Sequence, residues 1–214
     1  FYSYTGILEE ESNFYRNRVH GKRTLYFPDK KVKSTSHFVF NVPDSTYKEW
    51  NKDGKLIISG NYVMGSPDGK WEYFYDDGRR KKIEQVVNDT IYLMQYWEND
   101  SAQTQTIKDG NGFIQTFYTN GNPKEYYTFE KGLKTGPFSE YTAGRMLSIG
   151  GEFLEGKKQG TWVFYSAYGV LEKKVNYNKD SLDGEYLVFF ENGDTLTSGL
   201  YKNGLKTGKW IWKN

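Results

Sequence analysis

The sequence predicts an all-β fold: tandem β-hairpin repeats forming one long, twisted, open antiparallel meander sheet. Three observations predict it. Gly136, Gly160, Gly184 and Gly208 stand 24 residues apart, and each opens a short aromatic run: GPFSEY, GTWVFY, GEYLVFF and GKWIW. A period of about 20–50 residues marks stacked units, each burying its apolar side only against a neighbour. Turn residues recur at fixed offsets, as in TNG at 119–121 and ENG at 191–193, where glycine admits the positive φ of tight hairpins. The apolar content is aromatic rather than aliphatic: 18% of the 214 residues are Phe, Trp or Tyr within 36% hydrophobic, and the mean hydropathy is −0.81. Such a composition suits half-wet strands better than a thick aliphatic core.

With the opening residue of each repeat counted as zero, the register runs back through Gly112, Gly69, Ser45 and Gly21. The residue five positions in is aromatic: Tyr26, Trp50, Phe74, Phe117, Tyr141, Tyr165 and Phe189. The residue 17 positions in is Phe38, Tyr62, Val86, Phe129, Phe153, Tyr177 or Tyr201, and 20 positions in stand Asn41, Gly65, Asp89, Gly132, Gly156, Asp180 and Gly204, which tolerate the left-handed region. The chain thus reads as a single array, 1–214, with repeats opening near 21, 45, 69, 91, 112, 136, 160, 184 and 208. Residues 1–20 form a truncated repeat. A shortened, degenerate repeat falls at 91–111, where YWEND at 96–100 echoes FYDDG at 74–78. Because Phe1 starts inside a repeat, an upstream segment is expected, with export to the periplasm or cell surface.

Each repeat is a hairpin: an aromatic strand, an Asp/Asn/Gly turn, a mixed strand, and a loop such as KGLKTG at 131–136. Strands of about five or six residues are expected, too short for a membrane barrel. A helix fails because recurrent glycines each cost about 1 kcal/mol against Ala. About 17–19 strands, twisting by about 20° each, would give one concave and one convex face. Tyr62, Phe129, Phe153, Tyr177 and Tyr201 are expected to meet Trp71, Phe138, Trp162, Tyr186 and Trp210, nine residues on. Gly60, Gly151 and Gly199 are expected opposite Tyr47, Phe138 and Tyr186, leaving room for a large ring over bare backbone.

GKWEYFYDDGR at 69–79, FLEGKKQGTW at 153–162 and YKNGLKTGKW at 201–210 resemble the MORN (membrane occupation and recognition nexus) repeat variant, common in bacterial proteins labelled antitoxin-like. The resemblance covers nearly the whole chain and lapses near 91–111. It implies a repeat scaffold, a membrane-proximal module or an accessory domain, and it assigns no function by itself.

The chemical inventory is thin. Without cysteine there is no disulfide, thiolate metal site or Cys nucleophile, and His20 and His37 are the only histidines. The sequence holds no G-x-S-x-G, H-E-x-x-H, P-loop or G-x-G-x-x-G pattern; GSPDGK at 65–70 reads as a turn, and Asp76 and Asp77 as turn formers beside Gly78. No catalytic residue, cofactor or metal is expected. A formal net charge of +2 excludes the basic footprint of a nucleic-acid binder, and no apolar run approaches the roughly 18 residues of a membrane helix. Arg79, Arg80, Lys81 and Lys82, with the lysines of the loops at 131–134, 157–158 and 202–206, read either as an anionic-lipid surface or as charged hairpin tips that block edge pairing.

The expectation is a non-enzymatic scaffold that binds another protein through its curved aromatic sheet, with Trp71, Phe138, Trp162, Tyr186 and Trp210 as candidate anchors. The alternative is a cell-surface carbohydrate-binding module, since aromatic hairpins with G-x-W runs are also similar to choline- and glucan-binding repeats. In the first reading, Trp162→Ala with Tyr186→Ala weakens binding more than it unfolds the array.

Overall fold

The computed structural model describes residues 1–4 and 6–213. Its chain divides into two compact units, Phe1–Gly110 and Asn111–Asn214. Unit 1 contains β1 (Glu10–Tyr15), β2 (Arg18–Tyr26), β3 (Val32–Val39), β4 (Val42–Trp50), β5 (Leu56–Val63), β6 (Ser66–Phe74), β7 (Arg80–Val87), β8 (Thr90–Trp97) and β9 (Gln105–Lys108). Unit 2 contains β10 (Asn111–Phe117), β11 (Pro123–Glu130), β12 (Leu133–Tyr141), β13 (Leu147–Leu154), β14 (Lys157–Tyr165), β15 (Leu171–Asn178), β16 (Ser181–Phe189), β17 (Thr195–Lys202) and β18 (Leu205–Trp212). Within each unit every strand pairs antiparallel with the next in sequence, so the fold is the all-β hairpin meander that the turn spacing predicts.

Most strands run to eight or nine residues, longer than the five or six expected. The reason lies in the loops. In KGLKTG only Lys131 and Gly132 leave the ladder, at φ 51° and 83°, and Leu133 onward is already strand. The same two-residue turn recurs at Phe40–Asn41 (51°, 72°), Met64–Gly65 (51°, 91°), Glu155–Gly156 (50°, 80°), Lys179–Asp180 (50°, 70°) and Asn203–Gly204 (50°, 80°). Positive φ at both central residues marks the hairpin turn whose twist matches the strands. The alternate turns are longer: Tyr75 N–H donates to Arg79 O at 2.9 Å, and Gly78 N–H to Tyr75 O at 2.8 Å.

The opening glycines serve a bulge. Between the partners Ser59↔Glu72 and Asn61↔Asp68, Gly60 alone faces Gly69, Lys70 and Trp71, and Gly69 takes φ 68°. Gly136, Gly160 and Gly208 are likewise left-handed, at 81°, 65° and 64°. Ser45 occupies this place in its repeat at φ 71°, a region that costs an L-residue about 1–2 kcal/mol. Relief of that strain, partly offset by greater freedom of the unfolded chain, should make Ser45→Gly stabilising by roughly 0.5–1 kcal/mol. The check is a higher urea midpoint at unchanged slope.

Each unit keeps its core on one face. Unit 1 buries Trp71, Val86, Leu93 and Ile107, and unit 2 buries Phe138, Trp162 and Val175. Glycine makes the aromatic packing possible. Gly151 on β13 pairs with Phe138 on β12, and a Cβ built on it would lie 2.3 Å from Trp162 Cδ2. With that side chain absent, Phe138 and Trp162 reach over β13 from either side and stack at 5.4 Å. Gly60 lets Tyr47 and Trp71 meet at 6.1 Å, and Gly199 lets Tyr186 and Trp210 meet at 5.7 Å. Rings two strands apart, about 10 Å along the sheet, thus touch only because the strand between them has no side chain there.

Candidate functional site

The anchors read from sequence lie in this aromatic face. Trp71, Phe138 and Trp162 are 6%, 8% and 2% exposed, while Tyr186 and Trp210 are half-buried. Tyr62–Trp71, Phe153–Trp162 and Tyr201–Trp210 meet edge to face at 5.2 Å each, at the expected nine-residue spacing. Phe138 instead packs on Tyr127 at 5.1 Å and Phe153 at 5.7 Å, and Tyr186 on Tyr201 at 5.4 Å. Burial removes Trp71, Phe138 and Trp162 from the free surface, because each ring fills the space over a bare strand. They hold the sheet together.

Phenols on this face are drawn into it. Tyr127 is pushed up to about 12, first by burial and then by the neighbouring Glu125 carboxylate, and Tyr73 to about 12 by burial and Glu84. Tyr47 is also raised, by burial and its 2.7 Å hydrogen bond to Glu49. A raised folded pKa means that the folded chain holds protons that the unfolded chain has released. The stability these phenols contribute is fully present below pH 10 and falls as pH rises toward 12. Phenolate absorbance and denaturant midpoints followed together over that window should show unfolding and ionisation as one event.

The dense basic run is engaged internally. Arg79 bonds Asp77 at 2.6 Å and Asn99 at 2.8 Å, and also donates to Asp100 O. Arg80 lies over Trp97 at 5.8 Å, Lys81 over Tyr75 at 5.6 Å, and Lys82 over Tyr73 at 4.3 Å while pairing with Glu84. These residues tie one long turn to the next. Asp77 shapes its own turn, accepting from Arg79 N–H at 2.9 Å, and Gly65 and Asp68 of GSPDGK sit in a two-residue turn and in β6. His37 is exposed on β3; His20 packs on Phe40 at 5.0 Å with its Nδ1 unpartnered. No group of three or more potential metal ligands gathers among the described residues, nor is any helix long and apolar enough to cross a membrane.

What sequence reasoning missed is the edge formed by the two-residue turns. Each turn is fastened to the preceding repeat: Gly65 N–H donates to Pro43 O, Gly156 N–H to Lys134 O and Gly204 N–H to Leu182 O, all at 2.8 Å. Carboxylate or amide side chains repeat the link, Asp44 accepting from Met64 N–H at 3.2 Å and Asp183 from Asn203 N–H at 3.1 Å. The backbone is therefore alike in the two units and the turn-tip residue is not; beside the tip both units expose apolar side chains, Leu154 (49%) and Leu205 (73%) of unit 2 standing in the places of Val63 and Val42. Unit 1 exposes Tyr15 (48%), Phe40 (42%), Val42 (42%), Val63 (46%) and Met64 (86%). Tyr15 and Phe40 lie 6.1 Å apart, and Val42 packs against the turn at Gly65. In unit 2 the slots of Phe40 and Met64 hold Lys131, Glu155, Lys179 and Asn203. The signal in sequence was the apolar residue just before Asn41 and Gly65.

Two stretches match the family model of the MORN repeat variant, residues 19–39 and 182–203. They coincide with the β2–β3 and β16–β17 hairpins, one in each unit. No curated protein matches the chain. Among solved structures it is similar to an alternansucrase in complex with isomaltononaose, over 87% of this chain and 16% of that one, at 12% identity and a TM-score of 0.19. That likeness is too slight to carry an argument, and the chain spans about a sixth of that enzyme's chain. One hairpin in each unit is thus similar to the MORN repeat variant.

Proposed function

We propose that the chain is a non-enzymatic interaction module that binds another protein along the turn edge of unit 1. The observation that carries this reading is the pair of exposed apolar turn tips, Phe40 and Met64, with Tyr15 beside Phe40 and Val42 and Val63 flanking them. The array itself supplies the control: turns of the same φ at Lys131–Gly132 and Glu155–Gly156 carry charged side chains, so the fold does not require apolar ones. Exposed apolar side chains that folding does not need mark an interaction surface. Arg16 and Arg18 stand exposed beside Tyr15, Arg16 over its ring at 5.2 Å, which favours a partner with an apolar centre and an acidic rim.

The test transfers the side chains of unit 2 into unit 1, as Phe40→Lys with Met64→Glu. Stability should change by less than about 0.5 kcal/mol, as for ordinary surface positions. The intact chain, immobilised, should retain a protein that can be purified and rebound at one-to-one stoichiometry, and the double variant should lose it. Retention by the variant would sink the assignment. Loss of self-association, seen as a change in sedimentation, would make a second copy of this chain the occupant instead.

A further inference from the structure

Unit 2 carries a second surface, independent of the edge just described. On its aromatic face, Lys134, Lys158 and Lys206 take one equivalent place on β12, β14 and β18, opposite Phe129, Phe153 and Tyr201. Lys134 Nζ lies 3.9 Å from the centroid of Tyr127 and 5.3 Å from that of Phe153. Lys158 Nζ lies 4.6 Å from Trp162 and 5.2 Å from Tyr177; Lys206 Nζ lies 4.4 Å from Trp210 and 5.4 Å from Trp212. Among the described residues, none of the three ammonium groups has an ion-pair or hydrogen-bond partner, unlike Lys174 and Lys202. Lys134 and Lys158 are half-buried, and burial pulls the Lys134 ammonium below the usual lysine range.

Cation–π contact alone does not explain the lysines. The same place is filled by Leu182 opposite Tyr177, and by Pro43 and Pro67 in unit 1, opposite Phe38 and Tyr62. An aliphatic residue therefore closes the slot. A lysine there leaves a partly desolvated ammonium with no ion pair in contact, Glu125 acting on Lys134 only from farther off, so a bound anion would stabilise it. Lys134 and Lys158 stand two strands apart, about 10 Å, and Lys158 and Lys206 four strands apart, about 20 Å, with Leu182 in the slot between them.

We infer that this row binds an acidic linear polysaccharide with one carboxylate per disaccharide. Such a polymer sets its carboxylates at about the interval from Lys134 to Lys158; one passes over Leu182, the next reaches Lys206, and its pyranose rings offer C–H faces to the rings around each lysine. Trp212, 62% exposed and stacked on Trp210 at 5.8 Å, gives the most open platform. Duplex DNA fits poorly, since one charge per about 1.7 Å of axis far outnumbers cations spaced at two and four strands. A membrane fits poorly as well, because Lys134 and Lys158 sit among rings and cannot spread on a plane of headgroups.

The test is calorimetric titration of the intact chain with a hyaluronan oligosaccharide long enough to cross from Lys134 to Lys206. Saturable binding is expected, weakened about tenfold or more by Lys134→Leu with Lys158→Leu and Lys206→Leu, which copies the packing of Leu182. The three Lys→Arg changes should retain binding. Should the leucine variant fold poorly, carboxyl-reduced hyaluronan added to the unaltered chain gives the same discrimination and should bind about tenfold more weakly. The inference is overturned by absence of saturable binding, by equal affinity for the carboxyl-reduced polymer, or by equal affinity in the leucine variant. Tighter binding to phosphatidylserine vesicles or to a DNA duplex would overturn it too. Phe40→Lys with Met64→Glu should leave this binding unchanged, which separates its failure from that of the protein-binding edge.

Discussion

Trp162→Ala should destabilise unit 2 by about 3–5 kcal/mol, the largest single-residue effect expected in the chain. The indole is 2% exposed and is held by Phe138 at 5.4 Å, Phe153 at 5.2 Å and Tyr177 at 6.1 Å. Its Nε1–H donates to Glu152 O at 3.2 Å, so truncation removes a hydrogen bond as well as a packed ring. Trp212→Ala, at an exposed ring, should cost less than about 1 kcal/mol by comparison. Denaturant unfolding gives both values, and hydrogen exchange should show lost protection centred on β13, β14 and β15. In an array of nearest-neighbour contacts the damage is greatest beside the missing ring. Equal costs for the two tryptophans would mean that the aromatic face is not the core. The substitution therefore reports on folding before it reports on binding, contrary to what the stripe of rings suggests in sequence.

Gly151→Ala should cost about 3 kcal/mol, the upper end of ordinary overpacking, although it adds only a methyl group. That methyl would stand 2.3, 2.4 and 2.7 Å from Trp162 Cδ2, Cε2 and Cγ, closer than any carbon contact allows. The indole has nowhere to retreat, with Phe138 stacked on it and two rings against its edges. A double-mutant cycle isolates the cause. Gly151→Ala combined with Trp162→Ala should be less destabilising than the sum of the single changes by about 1–3 kcal/mol, since the methyl then enters the space the indole vacates. Simple additivity would show that glycine acts through the backbone alone. Gly193→Ala makes a useful contrast: no atom lies within 4 Å of its virtual Cβ, and φ 86° alone sets the cost.

Much of the fold was legible because turn chemistry is local. Asn41, Gly65, Gly132, Gly156, Asp180 and Gly204 all take the positive φ expected of them. The pairings Tyr47↔Gly60, Phe138↔Gly151 and Tyr186↔Gly199 follow from turn length alone. The left-handed residue ahead of each, such as Lys131 or Met64, was not legible: nothing in those side chains requests φ near 50°, and the twist of the paired strands imposes it. The candidate surfaces were legible only in part. The lysines of the loops at 131–134, 157–158 and 202–206 stand out in sequence as a charged set, yet Lys131 and Lys134 differ in kind. One is an exposed turn tip and the other a half-buried cation over Tyr127.

By itself the sequence determined the period, the order of strands and turns, the all-β class and the resemblance to the MORN repeat variant, since each rests on residue types at fixed offsets. Tertiary structure alone decided which rings are core, which lysines lack an ion-pair partner and which turn tips stay apolar and exposed. The physical reason is register. Side chains alternate between faces, so a slip of one residue, or a bulge such as that at Gly69, sends a whole strand's set to the other face. The contact that defines the core, Phe138 on Trp162, joins strands that are not even neighbours. It exists only once Gly151 has been placed between them.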